Sequence, residues 1–187
     1  MDKGALVVID MLNDFILPGS PLEVPDARRA VPAVRREIER ARAAGRPVIY
    51  LCDSHDPDDA EFGRFGWPPH AVAGTRGAEV VEPLRPEARD TIIAKRTYSG
   101  FHQTELDAAL RGLGISRLRL AGCVSHICVL FTAADAVLRG YEVTVVRDAV
   151  AGLDPVEHAA ALRIMQRALG AQIEGGIPAL PRMGIAS

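Results

Sequence analysis

The sequence predicts an α/β fold: a single-domain three-layer sandwich in which a mostly parallel sheet of about six strands is covered by helices on both faces. Three observations predict it. Short apolar runs alternate along the chain with longer amphipathic stretches, the pattern of strands joined by crossover helices. The short runs are apolar throughout, as expected of strands buried on both faces. The chain has 187 residues, 48% hydrophobic and 25% charged, which is ordinary for a globular domain and enough for one sizeable core.

The first run, 5–9, ends on Asp10. Open α/β sheets hold ligands beyond the carboxyl ends of their strands, so a carboxylate there is placed for chemistry. Met11-Leu12-Asn13-Asp14-Phe15, with Pro18, Gly19 and Pro21 after it, makes a loop and not a glycine-rich phosphate turn, which argues against a dinucleotide-binding module. Asp26 reads as the N-cap of a helix over 26–44, with Val31, Val34, Ile38 and Ala41 at helical spacing, Pro32 in its first two turns and Gly45 past its end. A second strand, 48–52, delivers another acid, Asp53. Residues 54–81 hold several prolines and glycines and almost no periodicity; connections of that length in a compact domain are usually functional.

A third strand, 91–94, closes on Lys95, and Thr104 can cap a helix through Gly112. The run Leu118-Arg119-Leu120-Ala121 reads as a strand that leads through Gly122 into a helix over 127–138. That puts Cys128 in a first helical turn, where free N–H groups and the macrodipole bias a thiol toward thiolate. A strand over 142–146 ending near Asp148, a helix over 155–169 and a short strand over 171–174 follow, then a tail of small residues, Gly and Pro over 175–187 that reads as irregular.

The formal charge of -2 gives no electrostatic footprint for nucleic acid, and no apolar run approaches the ~20 residues that span a bilayer, so the expected partner is a small molecule. Three cysteines without metal-type spacing, and no secretory signal, fit a reducing cytoplasm. Cys52 and Cys123 read as core thiols, and His102 and His158 as surface residues with no visible partner.

Asp10, Lys95 and Cys128 each stand at a predicted strand end or just after one, and in a parallel sheet all such ends share one edge. With Asp10 to Phe15, Lys95-Arg96-Thr97-Tyr98-Ser99-Gly100-Phe101 and Gly122 to Ala133, the chain resembles the isochorismatase-like cysteine hydrolases over about residues 4 to 175. Within them it is most similar to the nicotinamidases. The resemblance implies that Cys128 is the nucleophile, Asp10 its base and Lys95 the balancing charge. It also implies an oxyanion hole from the N–H groups of Val124 and Cys128, and a cis peptide at Cys123-Val124. Asp53, His55 and His70 match a nicotinamidase metal site, and mixed N/O ligands of this kind suit Zn first, or Fe or Mn. Glu61, with Asp59 behind it, is the nearest candidate for a further ligand. Phe15, Trp67 and Tyr98 match positions that wall a flat ring. Ser125 stands where Thr is usual, and His126 where Asp is common, which exchanges an acid for a titratable base. The implied activity is hydrolysis of nicotinamide to nicotinate and ammonia by a homo-oligomer. The alternatives are another small-amide or ureido hydrolase and a non-catalytic binding module.

Overall fold

The structure is a computed structural model that describes residues 4–177; the tail expected to be irregular therefore lies, from 178 onward, outside the described residues. Six strands form one sheet: β1 (Gly4–Ile9), β2 (Val48–Asp53), β3 (Thr91–Lys95), β4 (Arg117–Cys123), β5 (Glu142–Ala151) and β6 (Gln172–Glu174). Their order is β3-β2-β1-β4-β5-β6 and every pair is parallel.

The sheet's two faces explain its apolar runs. Along β1, Ala5, Val7 and Ile9 enter one core and Leu6 and Val8 the other, so no position is left for a polar residue. The first core is closed by α4 (Leu106–Gly112), α5 (Leu130–Leu138) and α6 (Pro155–Leu169), through Leu106, Leu110, Ala133 and Leu162. The second is closed by α1 (Asn13–Ile16) and α2 (Pro25–Ala43), through Phe15, Ala27, Val34 and Ile38. Each fully buried aliphatic chain contributes about 1.5–3 kcal/mol. Among the described residues no helix is long and apolar enough to cross a membrane.

Several boundaries differ from expectation. Asp26 is not a cap: α2 begins one residue earlier on Pro25, whose fixed φ suits the first helical position, and Asp26 lies in the first turn. Within 54–81 lies α3 (Ala60–Phe65), capped by Asp59, whose side chain accepts from the Glu61 N–H, and ended by Gly66 at φ 66. Those two signals were present in the sequence, but six residues are too few for a periodicity to show. α4 starts at Leu106, although Thr104 Oγ1 does accept its N–H at 3.3 Å. β5 continues five residues past the expected end because its pairing with β4 shifts register between Leu120 and Gly122. The polar pair Arg147-Asp148 within it disguised the continuation.

The helix expected over 127–138 is really two pieces. Ser125–Val129 is a π-turn, and α5 begins after it. Strand order runs outward from β1 in one direction and from β4 in the other, so the crevice between their carboxyl ends is the switch point at which such sheets hold ligands. There the two strands touch through backbone: Gly122 has φ 118, and a Cβ on it would come within 2.0 Å of the Ile9 carbonyl oxygen.

Candidate active site

Three segments far apart in sequence meet at the switch point. Asp10 follows β1 at a positive φ of 52, its N–H donating to the Leu51 carbonyl at 2.9 Å. Its Oδ1 accepts the Asp53 N–H at 2.9 Å. Lys95, the last residue of β3, is only 1% exposed. Its ammonium lies 2.7 Å from Asp10 Oδ2, pairs with Asp53 Oδ1, and donates to the Thr97 carbonyl at 3.1 Å and to Cys128 Sγ at 3.5 Å. Carboxylate oxygens of Asp10 and Asp53 and the Cys128 sulfur all fall within 4.8 Å of one another. The sequence thus placed Asp10, Lys95 and Cys128 together, and the structure adds Asp53 as the second counter-ion of the lysine.

Burial dominates the electrostatics. It lifts the Asp10 pKa from 3.8 to about 6; the adjacent Asp53 charge adds to the rise, and Lys95 opposes both. Burial pulls the Lys95 ammonium down, yet Asp10 and Asp53 together outweigh it, so Lys95 stays charged. Burial also pushes the Cys128 thiol well above 9, and the pull of Lys95 does not offset it. The bias toward thiolate expected near a helix start is thus opposed by burial and by the Asp10 and Asp53 charges, which favour the thiol whose proton Asp10 would accept. Here the sulfur is enclosed beside two carboxylates, Asp10 and Asp53.

The turn that carries Cys128 is tightly anchored. The Val124 carbonyl accepts from Ile127 at 3.0 Å and from Val129 at 3.1 Å, and the Cys123-Val124 peptide is cis, as expected.

A second group adjoins the first. Asp53, His55 and His70 are buried, and one ligand-type atom from each lies within 4.8 Å of the others. His55 Nδ1 is 3.2 Å from Asp59 Oδ2, while its Nε2 is buried without a hydrogen-bond partner. His70 Nδ1 donates to the Pro68 carbonyl at 2.9 Å, which leaves Nε2 with a free lone pair, and burial lowers its pKa so the ring stays neutral. Two oriented imidazoles, one with a ring nitrogen that has no hydrogen-bond partner, and a carboxylate fit a divalent metal. Glu61 is outside this group, and Asp59 orients His55 from behind it. Glu61 instead lines the cleft, its carboxyl raised by burial.

Both groups open on one cleft, where Asp10, Cys128, Asp53 and His70 all line the wall. Phe15, Trp67 and Tyr98 all line it, with the Phe15 and Trp67 rings 5.5 and 5.8 Å from the His70 ring, centroid to centroid. Its apolar side, Leu22, Val24, Ile127 and Leu153, was not foreseen, because in sequence those residues look like any apolar position.

The model of the isochorismatase domain matches residues 4–175. The chain belongs to the isochorismatase family. Among solved structures, N-carbamoylsarcosine amidase from Thermoplasma acidophilum is 41% identical, with TM-score 0.83 over 95% of this chain and 99% of that one. Pyrazinamidase of Pyrococcus horikoshii in complex with zinc is 36% identical, with TM-score 0.86 over 91% of this chain and 98% of that one. A probable inactive nicotinamidase of Arabidopsis thaliana is 39% identical over 165 residues, 83% of this chain and 84% of the relative.

This isochorismatase-family cysteine hydrolase also relies on residues to which the sequence reading gave no role. Asp14 Oδ2 accepts the Ala71 N–H at 2.8 Å and so ties the loop after β1 to the segment bearing His70. Thr132 Oγ1 accepts the Gly100 N–H at 3.0 Å, which fastens the segment after Lys95 to α5. The position of Asp14 beside Phe15 was visible; its partner, 57 residues away, was not.

Proposed function

We propose that this hydrolase converts nicotinamide to nicotinate and ammonia through a thioester on Cys128, with a divalent metal, zinc first, held by Asp53, His55 and His70. The observation that carries the reading is the shared carboxylate: Asp53 joins the Lys95 cluster to the two-histidine group, so a reactive thiol and a metal-type site face one aromatic-walled cleft. A metal bound there would supply a Lewis acid for the nitrogen of a flat heteroaromatic ring.

The protein's own groups account for the chemistry. Near neutral pH Asp10 is ionised and Cys128 is a thiol, so the proton passes from sulfur to Asp10 as sulfur attacks the amide carbon. The Lys95 ammonium, 3.5 Å from the sulfur, favours the anion formed on the way. The N–H groups of Val124 and Cys128 meet the developing oxyanion, each worth roughly 3 kcal/mol. Asp10 returns the proton to the departing nitrogen, which leaves as ammonia. It then takes a proton from water as the water attacks the thioester, and the thiol re-forms with release of the acid.

The N-carbamoylsarcosine amidase likeness favours a second reading, hydrolysis of a carbamoyl or ureido amide in which the two-histidine group has only a structural part. His70→Ala separates them. Under the first reading it lowers zinc occupancy and nicotinamide turnover together, while the slow hydrolysis of benzamide, which lacks the ring nitrogen, hardly changes. If both rates fall in proportion, or neither falls, the metal-anchored ring is wrong. An ammonia-release panel that includes N-carbamoyl amino acids then identifies the amide. Release from none of the panel would point to a binding module.

A further inference from the structure

His158, expected to be a surface residue without a partner, is half-buried against the turn that carries the nucleophile. Ser125 opens that turn and has no exposed surface, and its hydroxyl lies 3.0 Å from His158 Nδ1. A serine beside a histidine can be a nucleophile. Here it cannot, because Ser125 is fully buried and lines no part of the cleft.

The histidine sits on a firm base. α6 is capped by Asp154, which accepts from the Val156 and Glu157 N–H groups at 2.8 and 3.0 Å, and Pro155 fills its first position. Beside the Ser125 contact, His126 Nε2 lies 3.1 Å from Glu157 Oε2, so the turn meets the start of α6 at two successive residues. Gly152 makes the approach feasible: a Cβ there would come within 2.9 Å of both Ser125 Oγ and His158 Cβ. The Ser125 contact also survives a change of protonation, since a neutral ring can accept the hydroxyl proton at Nδ1 and a charged ring donates from it.

We propose that His158 is a positioning residue: by holding Ser125 it fixes the backbone that aims Cys128 and the N–H groups of Val124 and Cys128 at the scissile carbonyl. This rests on the cysteine-hydrolase reading of the turn. A displacement of the order of 1 Å at such a site lowers rates by about a hundredfold, so a clip outside the chemistry can matter to it.

His158→Leu removes the polar partner, and His158→Asn retains one near the Nδ1 position. Amide hydrogen exchange at residues 125–129 reads the clip itself, and kcat against KM for ammonia release reads its consequence. His158→Leu is expected to speed exchange of the turn about tenfold and to lower kcat roughly ten- to a hundredfold with KM little changed. His158→Asn should recover most of both. In a Ser125→Ala background, His158→Leu should add almost nothing further. Unchanged exchange in His158→Leu overturns the clip, and faster exchange with unchanged kcat overturns its role in positioning. Equal losses in the Leu and Asn variants that follow their unfolding midpoints also overturn it, since a plain packing contact would do the same. Should the wild-type protein release ammonia from no amide, the hydrolase reading fails by itself, and exchange alone then decides whether His158 holds the turn.

Discussion

Replacing Asp10 by Asn should make the protein progressively more stable than wild type as the pH rises, while removing its activity. Asp10 is 1% exposed, and burial with the Asp53 charge beside it lifts its pKa from 3.8 to about 6. When a folded-state pKa lies above the unfolded value, its stabilising contribution is complete below the unfolded pKa and is lost as the pH rises through the folded one. The window therefore runs from about 3.8 to about 6. A shift of about two units corresponds to about 3 kcal/mol. Asn cannot ionise and escapes that loss. Its amide keeps an oxygen for the Asp53 N–H but turns donors toward the Lys95 ammonium, a penalty that does not vary with pH. The observable is thus how the stability difference between the two proteins changes with pH. Asp10→Asn should gain about 2–3 kcal/mol on wild type between about pH 4 and pH 8. In urea, at about 1–3 kcal/mol/M, the two midpoints should separate by roughly 1 M or more over that interval. A midpoint difference that is the same at both pH values, or that moves the other way, would refute the account of a carboxylate ionised at a net cost.

The same shift predicts that amide turnover loses its base as the pH falls through about 6, seen as an acid limb in kcat/KM that no other buffer component reproduces. Because burial pushes the Cys128 thiol well above 9, its alkylation by iodoacetamide should be slow near neutrality and should rise about tenfold per pH unit into the alkaline range; a plateau below pH 8 would contradict the resting thiol. Cys128→Ala should abolish turnover and leave zinc binding intact, with Cys123→Ala as the active control, and residual activity within about tenfold of wild type would dismiss Cys128 as nucleophile. Asp53→Asn should weaken zinc binding and turnover of every amide alike, whereas His70→Ala spares benzamide; calorimetric zinc titration beside the rate assay distinguishes them. Gly122→Ala should destabilise by at least about 3 kcal/mol, since both its φ of 118 and the Ile9 carbonyl at 2.0 Å oppose a Cβ, and soluble expression with a wild-type urea midpoint would show that the strands part more easily than the structure indicates.

Much of this molecule could be read from residue order. β1 and β2 are buried on both faces, so their apolar runs are unbroken, and Asp10 and Asp53 stand out as the first polar residues where each strand reaches the ligand edge. A parallel sheet collects such ends whatever their separation in sequence, which is why Asp10, Lys95 and Cys128 could be grouped before any coordinates. Asp53, His55 and His70 were picked out by their match to the pattern the resemblance implies, and the fold places ligand-type atoms from all three close together.

Tertiary structure alone decided how those groups behave. A position near a helix start biases Cys128 toward thiolate, and only the fold shows that enclosure and the carboxylates delivered from β1 and β2 oppose that bias. Asp53 belongs to the metal-type group by residue type, yet it also balances Lys95, because β2 and β3 pair in the register Asp53 to Lys95. Glu61 was the nearer candidate ligand, with Asp59 behind it, until the start of α3 set Glu61 along the cleft and Asp59 against His55. His158 was one more exposed-looking histidine until the first turn of α6 carried it onto Ser125. Periodicity reports which face of an element is buried, whereas burial energies and pair electrostatics depend on distances of a few ångströms between segments tens of residues apart, and those distances exist only once the chain has folded.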